Sequence, residues 1–262
     1  MVVKIELVPE ALATERLALE WVGAHRGPVP SVRAASHVRL SDGRRAACLV
    51  TDRADGCAPE SAEAWRRMGR ALAGLSELPW EGSGLTIYDA DTFGQAHRRP
   101  VSELEGPLRE AMTDIEDFDR LTSLRVPSRS PLVLTHGDPG PGNFLDDGRT
   151  GTLIDWEEAQ VAPRGLDLAR AMFIALLGSG PSGFVARNSN ARSRSVATGY
   201  LTGLRDGWEP ASSELRWWLT VAGVQFAHRR RERAGQPGVR PFTEAIAVFA
   251  GALRDNGAWM PG

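Results

Sequence analysis

Lysine is nearly absent from this sequence: of 31 basic residues 30 are arginine, and the one lysine is Lys4. Cysteine is scarce too. Cys48 and Cys57 have no cluster of histidines beside them, which excludes a disulfide framework and offers no zinc-ligand spacing, so both are read as reduced thiols. No stretch reaches the roughly 18 apolar residues of a spanning helix, and the opening MVVKIELVPE lacks the long apolar core of a leader. The expectation is a cytoplasmic protein with no membrane partner. Charge of one sign is also missing, since the formal net charge is -2, which gives no reason to expect nucleic acid. With lysine confined to residue 4 there is no G-x-x-x-x-G-K-[ST] phosphate loop, and no G-x-S-x-G hydrolase elbow occurs. One G-x-G-x-x-G match, GSGPSG at 178–183, follows a helical run where a dinucleotide fingerprint needs a strand, so it is read as a loop.

What is present is the composition of a globular protein, 262 residues with 42% apolar and 24% charged, enough for one large domain or two unequal lobes around a cleft. A genome rich in arginine codons explains the Arg-to-Lys ratio but not where the one lysine remains. A compact, rotatable ammonium does work that a planar guanidinium does badly, so Lys4 in the strand-like VVKIEL is a candidate functional residue.

The spacing predicts a strand over 2–7 and a helix ending near Gly27, on which Leu12, Glu15, Leu19 and Val22 share one face. Glu15 thus enters an apolar stripe, where a carboxylate needs a partner, and Lys4 is the nearest cation on a packed element. SVRAASHVRL and RRAACLVT read as strands joined at Ser41-Asp42-Gly43, and DRADGCAPE as a linker. Helical periodicity then dominates, over 61–78, 101–124, 166–178, 213–235 and 242–257. The plan is α+β: a small β-rich lobe over 1–55 and a larger, mostly helical lobe over 56–262.

The exception to the helical pattern is THGDPGPGNFLDDGRTGTLIDWEE at 135–158. An apolar strand, PLVLT, runs into His136, Gly137 and Asp138, and Pro139 biases Asp138 towards extended backbone. NFL and GTLID can pair around the turn signal Asp147-Gly148. A hairpin symmetric about residue 149 sets Leu145 against Leu153 and Asn143 against Asp155, near Asp138. Three oxygen-bearing side chains converging in this way suit a hard divalent cation that keeps positions for phosphate oxygens. An aspartate upstream could orient an attacking hydroxyl, which is the arrangement phosphoryl transfer requires.

HGDPGPGN has the Asp-to-Asn spacing of the kinase catalytic loop H-R-D-x-x-x-x-N, with Gly for Arg, and IDW stands where kinases carry D-F-G. The series H-G-D-x-x-x-x-N, I-D-W-E and D-L-A resembles the aminoglycoside phosphotransferase and choline kinase family, whose fold is protein-kinase-like. The resemblance implies that Asp138 is the catalytic base and that Asn143 and Asp155 bind Mg²⁺. It also implies that Asp167 and His136 support the loop, and that Lys4, paired with Glu15, holds the phosphates of ATP or GTP. The family usually carries a glycine-containing hairpin ahead of the lysine strand; only three residues precede Lys4 here, a departure that means either a start placed too late or a nucleotide lobe lacking that hairpin. Ser76 stands where relatives commonly place histidine.

The expected activity is Mg²⁺-dependent transfer of a nucleotide γ-phosphate to a hydroxyl of a small molecule. The arginine-rich, antibiotic-producer-like composition and the compact length favour an antibiotic as acceptor. The alternatives are a metabolic kinase acting on choline, homoserine or a sugar-like acceptor, and a nucleotide-binding pseudokinase. Were the acceptor polycationic, Glu157, Glu158 and the acidic run holding Asp114 and Asp117 would be the candidates to bind it.

Overall fold

The computed structural model describes residues 1–7, 12–89, 91–93, 130–177 and 189–232. The helices expected over 101–124 and 242–257, with Asp114 and Asp117, and the GSGPSG loop lie outside them. Strand β1 (Val2–Glu6) is followed by helix α1 (Ala13–Ala24), then strands β2 (Val32–Arg39) and β3 (Arg45–Thr51). The three strands form one antiparallel sheet in the order β1-β3-β2, with Lys4 opposite Leu49. Leu12, Ala18, Leu19 and Val22 of the α1 stripe are buried together with Ala47 and Leu49 of β3. Glu15 is buried in the same stripe, at 6% exposure.

The chain then enters helix α2 (Ala62–Ser76), capped by the Ser61 hydroxyl, which accepts the Ala64 N–H at 3.1 Å. Beyond it come β4 (Leu132–Thr135), a single 3₁₀ turn (Pro141–Asn143), β5 (Phe144–Asp146), β6 (Gly151–Leu153) and β7 (Gln160–Pro163). Strand β4 pairs antiparallel with β7 and β5 with β6. Helices α3 (Gly165–Leu177), α4 (Ser189–Gly203) and α5 (Ser212–Glu232) follow. Helix α3 is apolar nearly all round, as a helix at the centre of a core must be. Among the described residues no helix is long and apolar enough to cross a membrane, and both cysteines are free thiols.

Two expectations need correction. The hairpin register is one residue off: Phe144 faces Leu153, Leu145 faces Thr152 and Asp146 faces Gly151. The reason lies in the turn, where the Asp147 carboxylate accepts the N–H groups of Arg149 and Thr150, so that four residues rather than an odd number join the strands. The second correction is α4 (Ser189–Gly203), which forms where the apolar periodicity indicated no helix. Its sequence, SNARSRSVATGYLTG, has no apolar stripe because it packs by close backbone approach. A Cβ at Gly199 would lie 2.0 Å from the Arg66 carbonyl oxygen of α2, and one at Gly69 would lie 2.1 Å from that of Val196.

Helix propensity alone predicts that Gly199→Ala stabilises the protein by roughly 1 kcal/mol. The packing predicts the opposite sign, a loss of about 1–3 kcal/mol from overpacking, measured by urea unfolding.

Candidate active site

Strand β4 delivers the chain to His136, which is fully buried. Its backbone N–H donates to Asp167 Oδ2 at 2.5 Å, and the next N–H, of Gly137, donates to Asp167 Oδ1 at 3.1 Å. Burial pushes the Asp167 carboxyl pKa up, while His136, Arg170 and the two backbone donors oppose that shift. Both oxygens accept N–H bonds, the arrangement of an ionised carboxylate. The His136 ring is set on both sides: Nε2 lies 2.9 Å from the Ile154 carbonyl, and Nδ1 accepts the Asp138 N–H at 3.3 Å. That pattern fixes the neutral tautomer with its proton on Nε2, and burial lowers the ring's pKa in the same sense. Trp156 packs against the ring with centroids 4.6 Å apart.

Gly137 explains why this loop reads H-G-D. Its φ is +85°, and an added Cβ would sit 1.8 Å from the Glu158 carbonyl oxygen, so a side chain is excluded by conformation and by space. Its own carbonyl accepts from Arg170, whose Nε donates to Gln225 Oε1 of α5 at 2.9 Å. Arg170 and Gln225 were not foreseen from the sequence. The available signal was D-L-A-R, which puts Arg170 one turn after Asp167 on an otherwise apolar helix.

Asp138 follows, half-buried. The Asn143 amide Nδ2 donates to the Asp138 carbonyl at 2.9 Å and approaches its Oδ2 at 3.3 Å. The Asn143 carbonyl accepts the Ile154 N–H at 3.0 Å, which brings the residue before Asp155 against the 3₁₀ turn. Asp155 has φ +64°, a left-handed conformation that aspartate tolerates better than most residues, and its Oδ1 accepts from Lys4 Nζ at 2.8 Å. Lys4 Nζ also donates to Glu15 Oε2 at 3.0 Å and pairs with Glu157. The Lys4–Glu15 pair expected from the helix stripe is therefore present, with two further carboxylates on the same ammonium. Burial works to lower the Lys4 pKa, but the three carboxylates outweigh it and hold the pKa well above its usual range. Burial raises the Glu15 pKa, against the pull of Lys4. Glu158 is exposed next to this group.

A cavity of about 550 Å³ opens onto Lys4, Glu15 and Asp155. Val2, Leu19 and Pro30 line it together with Thr51 at the end of β3, Ala54 and Gly56 after it, and Leu145 and Ile154 of the hairpin region. It is a mostly apolar slot that two cations, Lys4 and Arg53, and three carboxylates, Glu15, Asp52 and Asp155, also line. The hairpin beneath it is tied to α2 by Arg67, whose Nε and guanidinium nitrogen reach the two Asp146 carboxylate oxygens at 2.6 and 2.8 Å.

The family model of the phosphotransferase enzyme family matches residues 1–218. The chain belongs to that family. Solved structures of the kinase-like fold align over nearly its whole length. The GDP complex of aminoglycoside 2'-phosphotransferase-IIIa is 17% identical, covering 95% of this chain and 84% of that one with a TM-score of 0.61. The amicoumacin kinase hAmiN in complex with AMP-PNP, Ca²⁺ and Ami is 11% identical, covering 99% and 83% with a TM-score of 0.62. A choline/ethanolamine kinase family protein from Mesorhizobium loti is 17% identical, covering 93% and 79% with a TM-score of 0.54. No curated protein sequence matches. The family agrees with the resemblance carried by HGDPGPGN and IDWE, and membership makes the protein a small-molecule phosphotransferase that acts on hydroxyl groups.

Two predictions follow from the loop and its support. Gly137→Ala is expected to cost about 2–4 kcal/mol in urea unfolding and to remove turnover, because the Glu158 backbone must move. The Arg67 guanidinium holds the Asp146 carboxyl below its usual range. A depressed folded-state pKa stabilises the protein above the unfolded carboxyl's value and loses that contribution as pH falls through the folded value. The stability gap between wild type and Arg67→Met is therefore expected to be about 1–2 kcal/mol at neutral pH and to shrink below about pH 4.

Proposed function

We propose that the protein transfers the γ-phosphoryl group of ATP or GTP to a hydroxyl of a small molecule, with Asp138 as the base. The observation that carries this reading is the hydrogen bond from the Ile154 N–H to the Asn143 carbonyl, which ties the Asp138–Asn143 turn to the residue preceding Asp155 of the Lys4–Glu15–Asp155 group lining the slot. The slot suits a flat purine, with residues 1–55 contributing most of its wall and 56–262 the catalytic loop. Lys4 would hold the α- and β-phosphates, and Glu15 would orient Lys4 from within the helix stripe.

The donor set suits Mg²⁺. Asn143 commits its amide nitrogen to Asp138, which directs its Oδ1 away from that contact, and Asp155 offers a half-exposed carboxylate. When bound, the ion supplies charge neutralisation on the phosphates. The acceptor oxygen bonds to the γ-phosphorus as the bond to the β–γ bridging oxygen breaks. Its proton passes to the Asp138 carboxylate, and the nucleoside diphosphate leaves. Asp167, Arg170 and the neutral His136 keep Asp138 in place during this exchange. They hold the backbone that leads into it.

We read the acceptor as an antibiotic. Support comes from the antibiotic-directed names of two similar structures and from the arginine-rich composition. Glu157 and Glu158, both exposed, are the described carboxylates that we assign to a cationic acceptor. The Mesorhizobium loti protein favours a second reading, an amino-alcohol acceptor such as choline or ethanolamine.

The test is incubation with ATP or GTP, Mg²⁺ and a panel of hydroxylated antibiotics, choline, ethanolamine and homoserine, with phosphorylated product read by mass spectrometry. Asp138→Asn is expected to lose about 10²–10⁴-fold in kcat while still binding nucleotide. Full turnover in that variant would overturn the assignment.

A further inference from the structure

Lys4 has three N–H donors, and all three are committed: to Glu15, to Asp155 and to Glu157. A phosphate can therefore reach the ammonium only if a carboxylate lets go. The three are not equally able to do so. The Glu15 side chain is 8% exposed on the buried face of α1, and leaving it unpaired there is costly, so it stays. The side chains of Asp155 and Glu157 are each 47% exposed and can be rehydrated. Release of Asp155 is accounted for when a divalent cation takes its oxygen. Glu157 lies with Glu15 and Asp155 in one carboxylate group, their oxygens within 4.8 Å of one another, and while it pairs with Lys4 it competes with the phosphates for the same donor.

We propose that Glu157 is a positioning residue that holds Lys4 against metal-free nucleotide, so that the site accepts a nucleotide well only when it arrives with its divalent cation. This rests on the phosphotransferase reading above. Three carboxylates around one ammonium leave the group with an excess of two negative charges. A bare triphosphate adds to that excess and must also displace Glu157. A metal-loaded nucleotide brings two positive charges, takes Asp155, and screens Glu157 as Lys4 turns to the phosphates. The consequence is protection of the phosphate-binding lysine from unproductive occupancy by nucleotide that has no cation to assist transfer.

The test is calorimetric titration of wild type, Glu157→Gln and Glu6→Gln with ATP and with GTP, each in Mg²⁺ and in EDTA. Glu6→Gln removes the same charge from the Lys4 strand. Glu157→Gln is expected to bind metal-free nucleotide about three- to fivefold tighter than wild type, with a smaller change for the magnesium form. Glu6→Gln is expected to keep the wild-type preference. Metal-free affinity unchanged in Glu157→Gln, or tightened equally by Glu6→Gln, overturns the proposal and leaves the phosphotransferase reading intact. Selective weakening of magnesium-nucleotide binding in Glu157→Gln also overturns it, in favour of Glu157 as a metal ligand. Wild type that binds neither form of either nucleotide overturns both readings.

Discussion

One ammonium joins the parts of this site that are far apart in sequence. Lys4 lies on the first strand, Glu15 on the first helix, and Asp155 and Glu157 just beyond the β5–β6 hairpin. Each contact constrains a different element: the helix is keyed to the sheet through Glu15, and the post-hairpin turn is drawn up to the sheet through Asp155. The mostly apolar slot is lined by residues of these elements, Lys4 among them. A surface pair of this kind contributes little to stability on its own. Its importance is geometric, because a partly buried carboxylate fixes the ammonium on one side and leaves the other side to exchangeable partners.

The catalytic loop is built on the opposite principle. Around Asp138 the partners are buried and come from the backbone: two N–H groups on Asp167, a carbonyl on Arg170, and a histidine with both ring nitrogens engaged. Buried polar networks of this type are costly to leave half-satisfied, so they hold one arrangement. Under the proposed function, rigidity suits a base that would meet an acceptor hydroxyl in line with a phosphoryl group, whereas the Lys4 side would rearrange as nucleotide enters and leaves. The division is visible in exposure, with His136 and Asp167 buried and Asp155 and Glu157 half open to solvent.

Much of this was legible in the sequence, and the failures have identifiable causes. Strands β1 to β3 and helices α1, α2, α3 and α5 follow from apolar periodicity, and the stripe through Leu12, Glu15, Leu19 and Val22 pointed to Lys4 before any fold was known. The hairpin was legible but its register was not, because the Asp147 side chain, rather than the Asp-Gly pair alone, sets the turn length. Helix α4 was invisible to a search for apolar stripes, since Gly199 packs by the absence of a side chain. Strand β7 was hidden for a related reason: Gln160–Pro163 is too short to show alternation and is defined by pairing with β4. Arg170 and Gln225 looked like stray polar residues in core helices, and only the position of the Gly137 carbonyl gives them a purpose. The second partner set of Lys4 was out of reach, because IDWE identifies a loop but does not say which carboxylate the loop turns inward.

The single lysine among thirty arginines can now be explained by geometry. Its three carboxylate partners come from a helix and from two positions of one turn, so they approach from different directions around a point. A tetrahedral ammonium has three rotatable donors to meet them, while a guanidinium spreads its donors in one plane and prefers two parallel bonds to one partner. The same protein uses arginine where that planar fork fits, bidentate from Arg67 to Asp146 and from Arg33 to Asp52. A guanidinium at residue 4 could grip one carboxylate firmly, but it would meet the other two poorly and, under the proposed function, would crowd the phosphates. Codon bias accounts for arginine elsewhere. At residue 4 a compact cation that can trade partners is required, and lysine is the side chain that provides one.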